Sequence, residues 1–278
     1  MQVIKYPSAK EFLEENGSLL AKNEAANSII LSYAANQVSG VKSATTTDFF
    51  AVVEDEKPVL PAMFTPEVVP LLTEGPEDAA RILARYFYPS RPQPTGVTGP
   101  KETSLAFADE WEHLTHCNLE IHHNTRLYIC TSVAELDPPG GSVRQATQDD
   151  FELVKQWRIE FKNDANTPVG TSNEQIALHI DEGRYYFWVT DTPVSMALLA
   201  RDSGSGATIG AVYTPQNERN HGYATNLTAA VTQIILNSGK NYAALYADLD
   251  NPTSNSIYQK IGYKPVIDST FWNFTPAI

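Results

Sequence analysis

The chain has 278 residues, of which 42% are hydrophobic, and a formal net charge of −13. This length and apolar content allow a large core and two domains. Lys and Arg number 20 against 33 Asp and Glu, so a nucleic-acid partner, which needs a basic surface, is not expected. The acidic field is compatible with an amine substrate, although it also serves solubility alone.

The sequence also predicts the compartment. It has no apolar run near the roughly 18 residues of a membrane span, and its first residues lack the apolar core of a signal peptide. Cys117 and Cys130 are the two cysteines, and such sparse use favours free thiols in a reducing compartment over a disulfide. We therefore expect a cytoplasmic protein with no membrane partner, and the sequence predicts no particular oligomeric state.

Hydrophobic periodicity predicts alternating groups of helices and strands in the first half. The predicted helices are 8–20, 24–37, 76–87 and 101–116. The predicted strands are 49–53, 59–64, 68–72, a short extended segment at 95–100, and two strands within 119–133 joined by His-Asn-Thr.

The same order repeats in the second half, after a linker predicted at Gly140-Gly141 that follows two prolines. Thr147 and Ser172 are predicted helix caps. The predicted helices are 148–161, one ending at Gly183, 222–237 and 254–261, and the predicted strands are 185–190, 194–201, 207–214, 242–249 and one or two within 265–274. These elements predict an α/β (α+β) chain with domains 1–140 and 141–278.

One strand, turn and helix in the second half indicates a phosphate site. The strand 207–214 leads through a polar turn into a helix at Arg219-x-x-Gly222-x-Ala224. A glycine lets the backbone approach a ligand closely, and the first N–H groups of a helix favour an anion. The spacing matches neither the P-loop nor the dinucleotide fingerprint, so we expect a short turn that binds a diphosphate.

These residues resemble the acetyl-coenzyme A motif of the GNAT superfamily of N-acetyltransferases. In that superfamily a strand ends in an Arg/Gln-x-x-Gly-x-Gly/Ala turn, and residues 212–224 read VYTPQNERNHGYA. Asn220 stands where the superfamily usually has glycine.

A second motif, in the right order, supports the resemblance. Asn251 is followed seven residues later by Tyr258, and the pair Gly262-Tyr263 comes after the predicted helix, with Ser254 in place of a usual alanine. The resemblance covers residues from about 142 to the C-terminus.

The resemblance implies two tandem GNAT-like domains, each a mixed, mostly antiparallel sheet flanked by helices, with the first degenerate. At the equivalent turn the first half has Thr-Glu-Gly-Pro-Glu-Asp at 73–78, where carboxylates and a proline disfavour a diphosphate. We therefore expect no cofactor in 1–140. That domain either packs on the catalytic half and closes one side of the substrate cleft, or is a structural appendage.

The implied activity is direct transfer of an acetyl group from acetyl-CoA, as co-substrate, to the amine of a small molecule or peptide. No motif places a cysteine or serine beside a base, so no covalent enzyme intermediate is expected. Backbone and side-chain groups of the two motifs are the expected cofactor contacts: Val212, Tyr213, Thr214, Arg219, Asn220, His221, Gly222, Ala224, Thr225, Asn251 and Asn255. Among these, the Tyr213 N–H is the candidate oxyanion donor.

Tyr258 is the candidate general acid, since a phenol can protonate a departing thiolate and its offset from Asn251 matches the superfamily. The general base is not assigned. The strand 207–212 contains no acid, which leaves Asp248 and Asp250 as candidates through water. The alternative function is a non-catalytic acyl-CoA sensor, which would keep the cradle without the chemistry.

Two further patterns have less specific interpretations. His113, His116, Cys117, His122 and His123 fit no common zinc-finger spacing, and strand alternation is expected to send the last two to opposite faces. No metal site is therefore predicted. The glycines and serines at 203–206 lie between two predicted strands and indicate a hairpin turn rather than a phosphate loop.

Overall fold

The computed structural model describes residues 1–40, 47–65, 68–90, 92–137, 139–165 and 170–277. The elements of the first half are β1 (Gln2–Lys5), α1 (Ala9–Leu20), α2 (Ser28–Val38), β2 (Asp48–Glu54), β3 (Lys57–Phe64), β4 (Leu71–Leu72), α3 (Glu77–Phe87), β5 (Gly96–Pro100), α4 (Lys101–Thr115) and β6 (Asn118–Cys130). A 3₁₀ turn, Ala21–Asn23, separates α1 from α2.

The second half has the same order of elements. They are β7 (Ser142–Gln145), α5 (Phe151–Asp164), α6 (Asn173–Asp181), β8 (Tyr185–Val189), β9 (Pro193–Asp202), β10 (Gly206–Tyr213), α7 (Tyr223–Asn237), β11 (Tyr242–Asp248), α8 (Pro252–Ile261) and β12 (Lys264–Thr275). Each half thus runs strand, two helices, three strands, helix, strand, helix, strand. The predicted α/β class, with mixed, mostly antiparallel strand pairing flanked by helices, is confirmed.

Several predicted boundaries were wrong. The strands β1 and β7, of four residues each, were not predicted, and α2 begins at Ser28 rather than at 24. The predicted pair of strands within 119–133 is one continuous strand, β6. Its central Asn124 does not form a turn, because its side chain accepts a hydrogen bond from Thr270 (2.8 Å) and its carbonyl accepts one from the backbone of Leu249 (3.0 Å).

The chain divides into two compact units whose composition is not simply first half and second half. The first unit contains Met1–Leu127, Ala247–Asn251 and Val266–Ile278. In it β12 lies between β5 and β6, with Phe271 opposite Thr98, and Arg126 binds Asp268 through two hydrogen bonds of 2.6 and 2.7 Å. The division into domains at 140 stays a prediction. Pro138, one of the prolines before that linker, lies outside the described residues.

The second unit contains Tyr128–Tyr246 and Pro252–Pro265. Its strands are ordered β11-β10-β9-β8-β7, and β10 and β11 are parallel whereas the other pairs are antiparallel. Apolar side chains of α5 and α6 pack with those of the sheet in a core that includes Val154, Trp157, Ile176, Phe187 and Met196. Among the described residues, no helix combines the length and apolar character that crossing a membrane requires.

A buried hydrogen bond joins α7 to the segment after α8. The hydroxyls of Thr232 and Tyr263 lie 2.6 Å apart, and both residues are buried. One turn earlier on the same helix, the buried hydroxyl of Thr228 has no partner within the described ranges. Thr228 and Thr232 therefore lie on the same helix and are equally buried, but among the described residues only the Thr232 hydroxyl is hydrogen-bonded.

The entry to α5 is the capping box predicted at Thr147, although its first turn, Gln148–Asp150, is 3₁₀ rather than α. Asp150 accepts the Thr147 backbone N–H (2.8 Å) and two hydrogen bonds from Arg144 (2.7 and 2.8 Å). The guanidinium contacts lower the pKa of Asp150 to about 2. The carboxylate thus links β7 to the start of α5.

We expect Asp150→Ala to lower the free energy of unfolding by about 1–2 kcal/mol, because it removes both a cap and an ion pair. Asp149→Ala, an exposed acid in the same turn, is the matched control and should change it little. Urea denaturation measures both. Because the folded pKa is lowered, the contribution of Asp150 is present above the ordinary value of 3.8 and is lost as the pH falls towards 2. Equal losses from the two variants would contradict this role.

We expect Thr232→Val to lower the free energy of unfolding by about 1–3 kcal/mol, because it leaves the buried Tyr263 hydroxyl without its partner. Thr228→Val should be neutral or stabilising, since it removes a buried hydroxyl that makes no hydrogen bond within the described ranges. Chemical denaturation of both variants against the parent provides the measurement. A Thr228→Val variant that is the less stable of the two would refute the comparison.

Candidate functional site

The strand β10 is bent just before the predicted cradle. Its register against β9 shifts between Gly210, opposite Leu198, and Tyr213, opposite Met196. Ala211, within the shift, has φ +47°, which marks a β-bulge. The parallel pairing with β11 extends only from Gly206 to Ile209. The end of β10, including Val212 and Tyr213, therefore lies beyond the ladder with β11.

Hydrogen bonds fix the end of β10 on its other sides. The Tyr213 hydroxyl donates to Glu160 of α5 (2.8 Å), and the buried Ser195 hydroxyl donates to the Tyr213 carbonyl (3.1 Å). Ser195 also lies 2.9 Å from the Thr214 hydroxyl. Burial, and then Glu160, raise the pKa of Tyr213 to about 12. The Tyr213 side chain and carbonyl are thus anchors, and its N–H stays the candidate oxyanion donor.

A short turn connects β10 to α7. After a 3₁₀ turn, Gln216–Glu218, the backbone passes through Asn220 at φ +68° and Gly222 at φ +82°. Gly222 is the N-cap of α7, and within the described ranges no side chain caps this helix. The first backbone hydrogen bond back to the cap is donated by Asn226 (3.1 Å). The N–H groups of the first turn, from Tyr223 to Thr225, are thus available to an anion.

Arg219 lies at this turn, but it already has partners. Its Nε donates to the Thr214 carbonyl (2.9 Å), and its guanidinium pairs with Asp164 (2.5 Å). The pair is exposed, so its contribution to stability is small, and an anionic ligand could compete with Asp164. His221 stacks on Tyr223, with ring centroids 5.5 Å apart, at the same turn.

Tyr258 lies in a cluster of three tyrosines. Its ring centroid is 6.4 Å from that of Tyr128 and 6.1 Å from that of Tyr263. The side chain is 8% exposed, and in the described part of the chain its hydroxyl makes no hydrogen bond. Burial raises the pKa of Tyr258 to about 12, so the phenol keeps its proton at neutral pH.

Asn255, on the same helix, accepts a hydrogen bond from the Tyr128 hydroxyl (2.8 Å). Sequence reasoning missed Tyr128, because an aromatic residue in an apolar strand has the pattern of an ordinary core residue. Asn251 belongs to the first unit, where its N–H donates to the Asp248 carbonyl (3.2 Å). The structure brings Asn255 into the tyrosine cluster and places Asn251 in the turn after β11.

The two candidate bases lie in that same turn. Asp248 and Asp250 are both exposed, and the Asp250 N–H donates to the Asp248 carboxylate (2.9 Å). His123, also in the first unit, has its pKa lowered by burial and by His122, with Asp248 opposing the shift. A neutral imidazole near a carboxylate has the chemistry of a base, a role that the sequence analysis did not consider for His123.

The histidine cluster has a different geometry from the one expected. The rings of His122 and His123 are 4.9 Å apart, and both contact Phe271, at 5.1 and 5.3 Å. The expectation that they point to opposite faces was wrong, because both pack against one aromatic side chain of β12. Across the described ranges no group of three or more His, Cys, Asp or Glu side chains is arranged to hold a metal ion.

The first half has a chemically different turn at the equivalent position. The helix α3 begins after Pro76 with Glu77 and Asp78 in its first turn, and both carboxylates pair with Arg81 (3.1 and 3.4 Å). Carboxylates therefore occupy the helix start that α7 leaves to backbone N–H groups. That the first half binds no cofactor stays a prediction.

Comparison with known proteins identifies the fold. Residues 194–273 match the family model of FR47-like proteins, whereas the comparison with curated proteins gave no match. A solved structure of a Drosophila protein is similar over 99% of this chain and 98% of its own, with 14% identity and a TM-score of 0.65. An acetyltransferase of the GNAT family from Colwellia psychrerythraea is similar over 100% of both chains, with 10% identity and a TM-score of 0.59.

A third similar structure is that of a tandem protein. A tandem GNAT protein from the clavulanic acid biosynthesis pathway is similar over 98% of this chain and 97% of its own, with 13% identity and a TM-score of 0.58. At these identities the likeness concerns the fold. Residues 194–273 thus match the FR47-like family model, and the fold of the chain is similar to that of a tandem GNAT protein.

Proposed function

We infer that this protein is an acetyl-CoA-dependent N-acetyltransferase that transfers an acetyl group directly to the amine of a small molecule or a peptide. The GNAT-type fold supports acyl transfer in general. The observation that carries the finer proposal is the bulged end of β10 running into a helix whose N-cap is Gly222 and whose first turn, within the described ranges, has no side-chain cap. The cytoplasmic location stays a prediction.

Groups at the start of α7 and at the end of β10 would bind different parts of coenzyme A. The first-turn N–H groups of α7 would bind the diphosphate of coenzyme A, with Arg219 adding charge after it leaves Asp164. The backbone at Val212–Thr214, beyond the ladder with β11, would pair with the extended pantetheine arm as a neighbouring strand does. Asn255 is the proposed amide contact to that arm, and the role of Asn251 stays a prediction from the sequence.

At the reacting atoms the Tyr213 N–H would stabilise negative charge that develops on the acetyl oxygen. The amine nitrogen forms the new bond to the carbonyl carbon as the carbon–sulfur bond breaks, and Tyr258 would donate its proton to the sulfur. With a pKa of about 12, this phenol is a weaker acid than a thiol of about 8.5. Tyr258 therefore acts as a relay: it hydrogen-bonds to the leaving sulfur, gives its proton to that sulfur, and takes up the proton that the attacking nitrogen loses, so that the products are an amide, a thiol and a neutral Tyr258.

One observation favours the non-catalytic alternative, an acyl-CoA sensor. The strand β10 contains no acidic residue that could deprotonate the amine, and Asp248 and Asp250 are exposed. A panel of amines and acyl-CoAs, assayed for thiol release beside a thermal-shift titration with coenzyme A, separates the two functions. Binding without thiol release for every amine would support the sensor and refute the enzyme.

We expect Gly222→Ala to weaken coenzyme A binding at least tenfold, because an alanine strains a backbone at φ +82° and changes the direction of the first-turn N–H groups. Gly239→Ala is the matched control, since Gly239 follows the other end of α7 with φ +90° and nothing within 4 Å of an added Cβ. Both variants should lose about 1–2 kcal/mol of stability, and calorimetric titration measures the affinity. If both bind coenzyme A equally well, the diphosphate does not lie at this turn.

We expect Tyr258→Phe to lower turnover at least tenfold with little change in coenzyme A affinity, because it removes only the proton donor. Turnover of the parent should show no loss from this group until the pH approaches about 12, since the acid works while protonated and its pKa is raised. Thiol-release assays across pH provide both measurements. Tyr263→Phe, which removes the neighbouring buried phenol, should lower stability but retain most of the turnover. A Tyr258→Phe enzyme of parental turnover would remove Tyr258 from the mechanism.

A further inference from the structure

One side of α5 lies along the end of β10 and the turn that follows it. Trp157 of this helix packs in the core of the second unit. Glu160, in contrast, accepts the Tyr213 hydroxyl at the end of β10 (2.8 Å), and Asp164, one turn later, pairs with Arg219 in the turn. Because residues four apart share a helix face, this face of α5 borders the proposed transfer site.

Glu160 differs from the other acidic residues of α5 in having no basic partner. Glu152 pairs with Lys155 (3.4 Å), and Asp164 pairs with Arg219. Within the described ranges no basic side chain pairs with Glu160. Its negative charge therefore remains available to a cation that comes from outside the chain.

The Glu160 carboxylate also has hydrogen-bonding capacity to spare. Its Oε1 accepts a hydrogen bond from the Gln156 amide (2.9 Å), and its Oε2 accepts the one from Tyr213. A carboxylate has about four acceptor sites, so each oxygen can accept a further donor while these two bonds hold the group in place. The carboxylate is thus oriented but not saturated.

The carboxylate can be reached from solvent. Glu160 is half-buried, and it borders an open groove of about 490 Å³ along α5. The lining of this groove also includes Leu153, Gln156 and Ile159, and Ile159 is 55% exposed. These side chains would contact the alkyl part of an amine whose charged end meets Glu160.

Glu160 and Tyr258 lie on opposite faces of the sheet. Tyr213 belongs to the core that α5 and α6 form on one face. The helix α7 contacts the same strands, β8 to β10, so it covers the other face, and Tyr258 packs beside Tyr263, which is hydrogen-bonded to α7. An acetyl group at the Tyr213 N–H would therefore have a carboxylate on one side and a phenol on the other. Acetyl transfer uses both, a base for the nitrogen and an acid for the sulfur.

The separation between Glu160 and the candidate oxyanion donor leaves room for the amine. Glu160 binds the far end of the Tyr213 side chain, so the length of one tyrosine side chain separates the carboxylate from the Tyr213 backbone. The acceptor nitrogen would occupy part of this span. A general base acts either directly or through one water molecule, and the span fits the amine with at most one water.

We propose that Glu160 is the general base of the transfer and takes a proton from the ammonium form of the acceptor amine. This assignment rests on the proposed acetyltransferase function. The ammonium gives one proton to the Glu160 carboxylate, and the neutral nitrogen then forms its bond to the acetyl carbon as the carbon–sulfur bond breaks. The second proton of the nitrogen reaches the sulfur through Tyr258, and Glu160 releases its own to water in the groove. The acceptor class is then an alkylamine, such as a lysine side chain, which is a cation at neutral pH.

The test compares Glu160→Gln with the parent in thiol release from acetyl-CoA, with the alkylamine of the panel that reacts fastest. The amide has the shape of the carboxylate and can still accept the Tyr213 hydroxyl, but it cannot take a proton. We expect kcat/KM to fall about a hundredfold at neutral pH. The affinity for coenzyme A, measured by calorimetry, should stay that of the parent.

The pH dependence distinguishes a base from a positioning residue. The parent uses the abundant cation, so its kcat/KM should change little between neutral pH and the pKa of the amine, about 10.4. Glu160→Gln depends on the neutral amine, so its kcat/KM should rise about tenfold per pH unit and approach that of the parent near this pKa. A residue that only held Tyr213 in place would show the same loss at every pH.

Glu152→Gln is the matched control, because it removes the same charge from an exposed position two turns earlier on the same helix. It should keep the parental rate and pH profile. A parental rate in Glu160→Gln, a loss that is equal at every pH, or weakened coenzyme A binding would overturn the proposal. A parent that accepts only amines already neutral at neutral pH would overturn it too.

Failure of the base and failure of the enzyme give different results. Thiol release by the parent that Glu160→Gln leaves unchanged refutes the base alone and leaves the acetyltransferase in place. Thiol release by the parent with no amine refutes the proposed enzyme, and the role of Glu160 as its base with it.

Discussion

The start of α7 is the constraint on which the rest of the candidate site depends. A helix that begins at a glycine has no side chain of its own to satisfy its first N–H groups, and within the described ranges no other side chain caps it. The left-handed conformation of Gly222 makes this start possible at the end of a strand. The end of β10, Arg219 and Tyr258 are candidate site residues because they would contact a molecule bound at these N–H groups.

The end of β10, just before α7, is unpaired with β11 but is held in place by side-chain hydrogen bonds. The bulge at Ala211 ends the ladder between β10 and β11, while Glu160 and Ser195 hold the strand end from its other sides. Backbone edges that leave a sheet while remaining rigid are suited to binding an extended ligand. Rigidity and an unpaired edge usually exclude one another, and here side-chain hydrogen bonds from α5 and β9 supply the rigidity.

The second unit contains both satisfied and unsatisfied buried polar groups. Thr232 and Tyr263 form a closed pair, whereas Thr228, Tyr185 and Arg158 keep buried polar atoms without a partner in the part of the chain that the structure describes. Unsatisfied buried groups destabilise a fold, and each such group in a native structure calls for its own explanation.

Local patterns in the sequence determined most of the elements. The helix caps at Thr147 and Ser172 and the strand, turn and helix around Gly222 follow from interactions within a few residues, and these are what periodicity and capping rules describe. The short edge strands β1 and β7 escaped prediction because four residues carry too little periodicity. The strand β6 escaped because Asn124 finds its hydrogen bonds in distant segments.

Tertiary structure alone decided which polar groups are left without partners. The sequence names Tyr258 and the cradle residues, but nothing local to Arg158, His179 or Tyr185 distinguishes them from ordinary helix and strand residues. Their burial and missing partners depend on the packing of three separate elements, and the same holds for Tyr128 beside Asn255. A sequence motif encodes contacts close in the chain, whereas an unsatisfied hydrogen bond is defined only once every distant neighbour has taken its place.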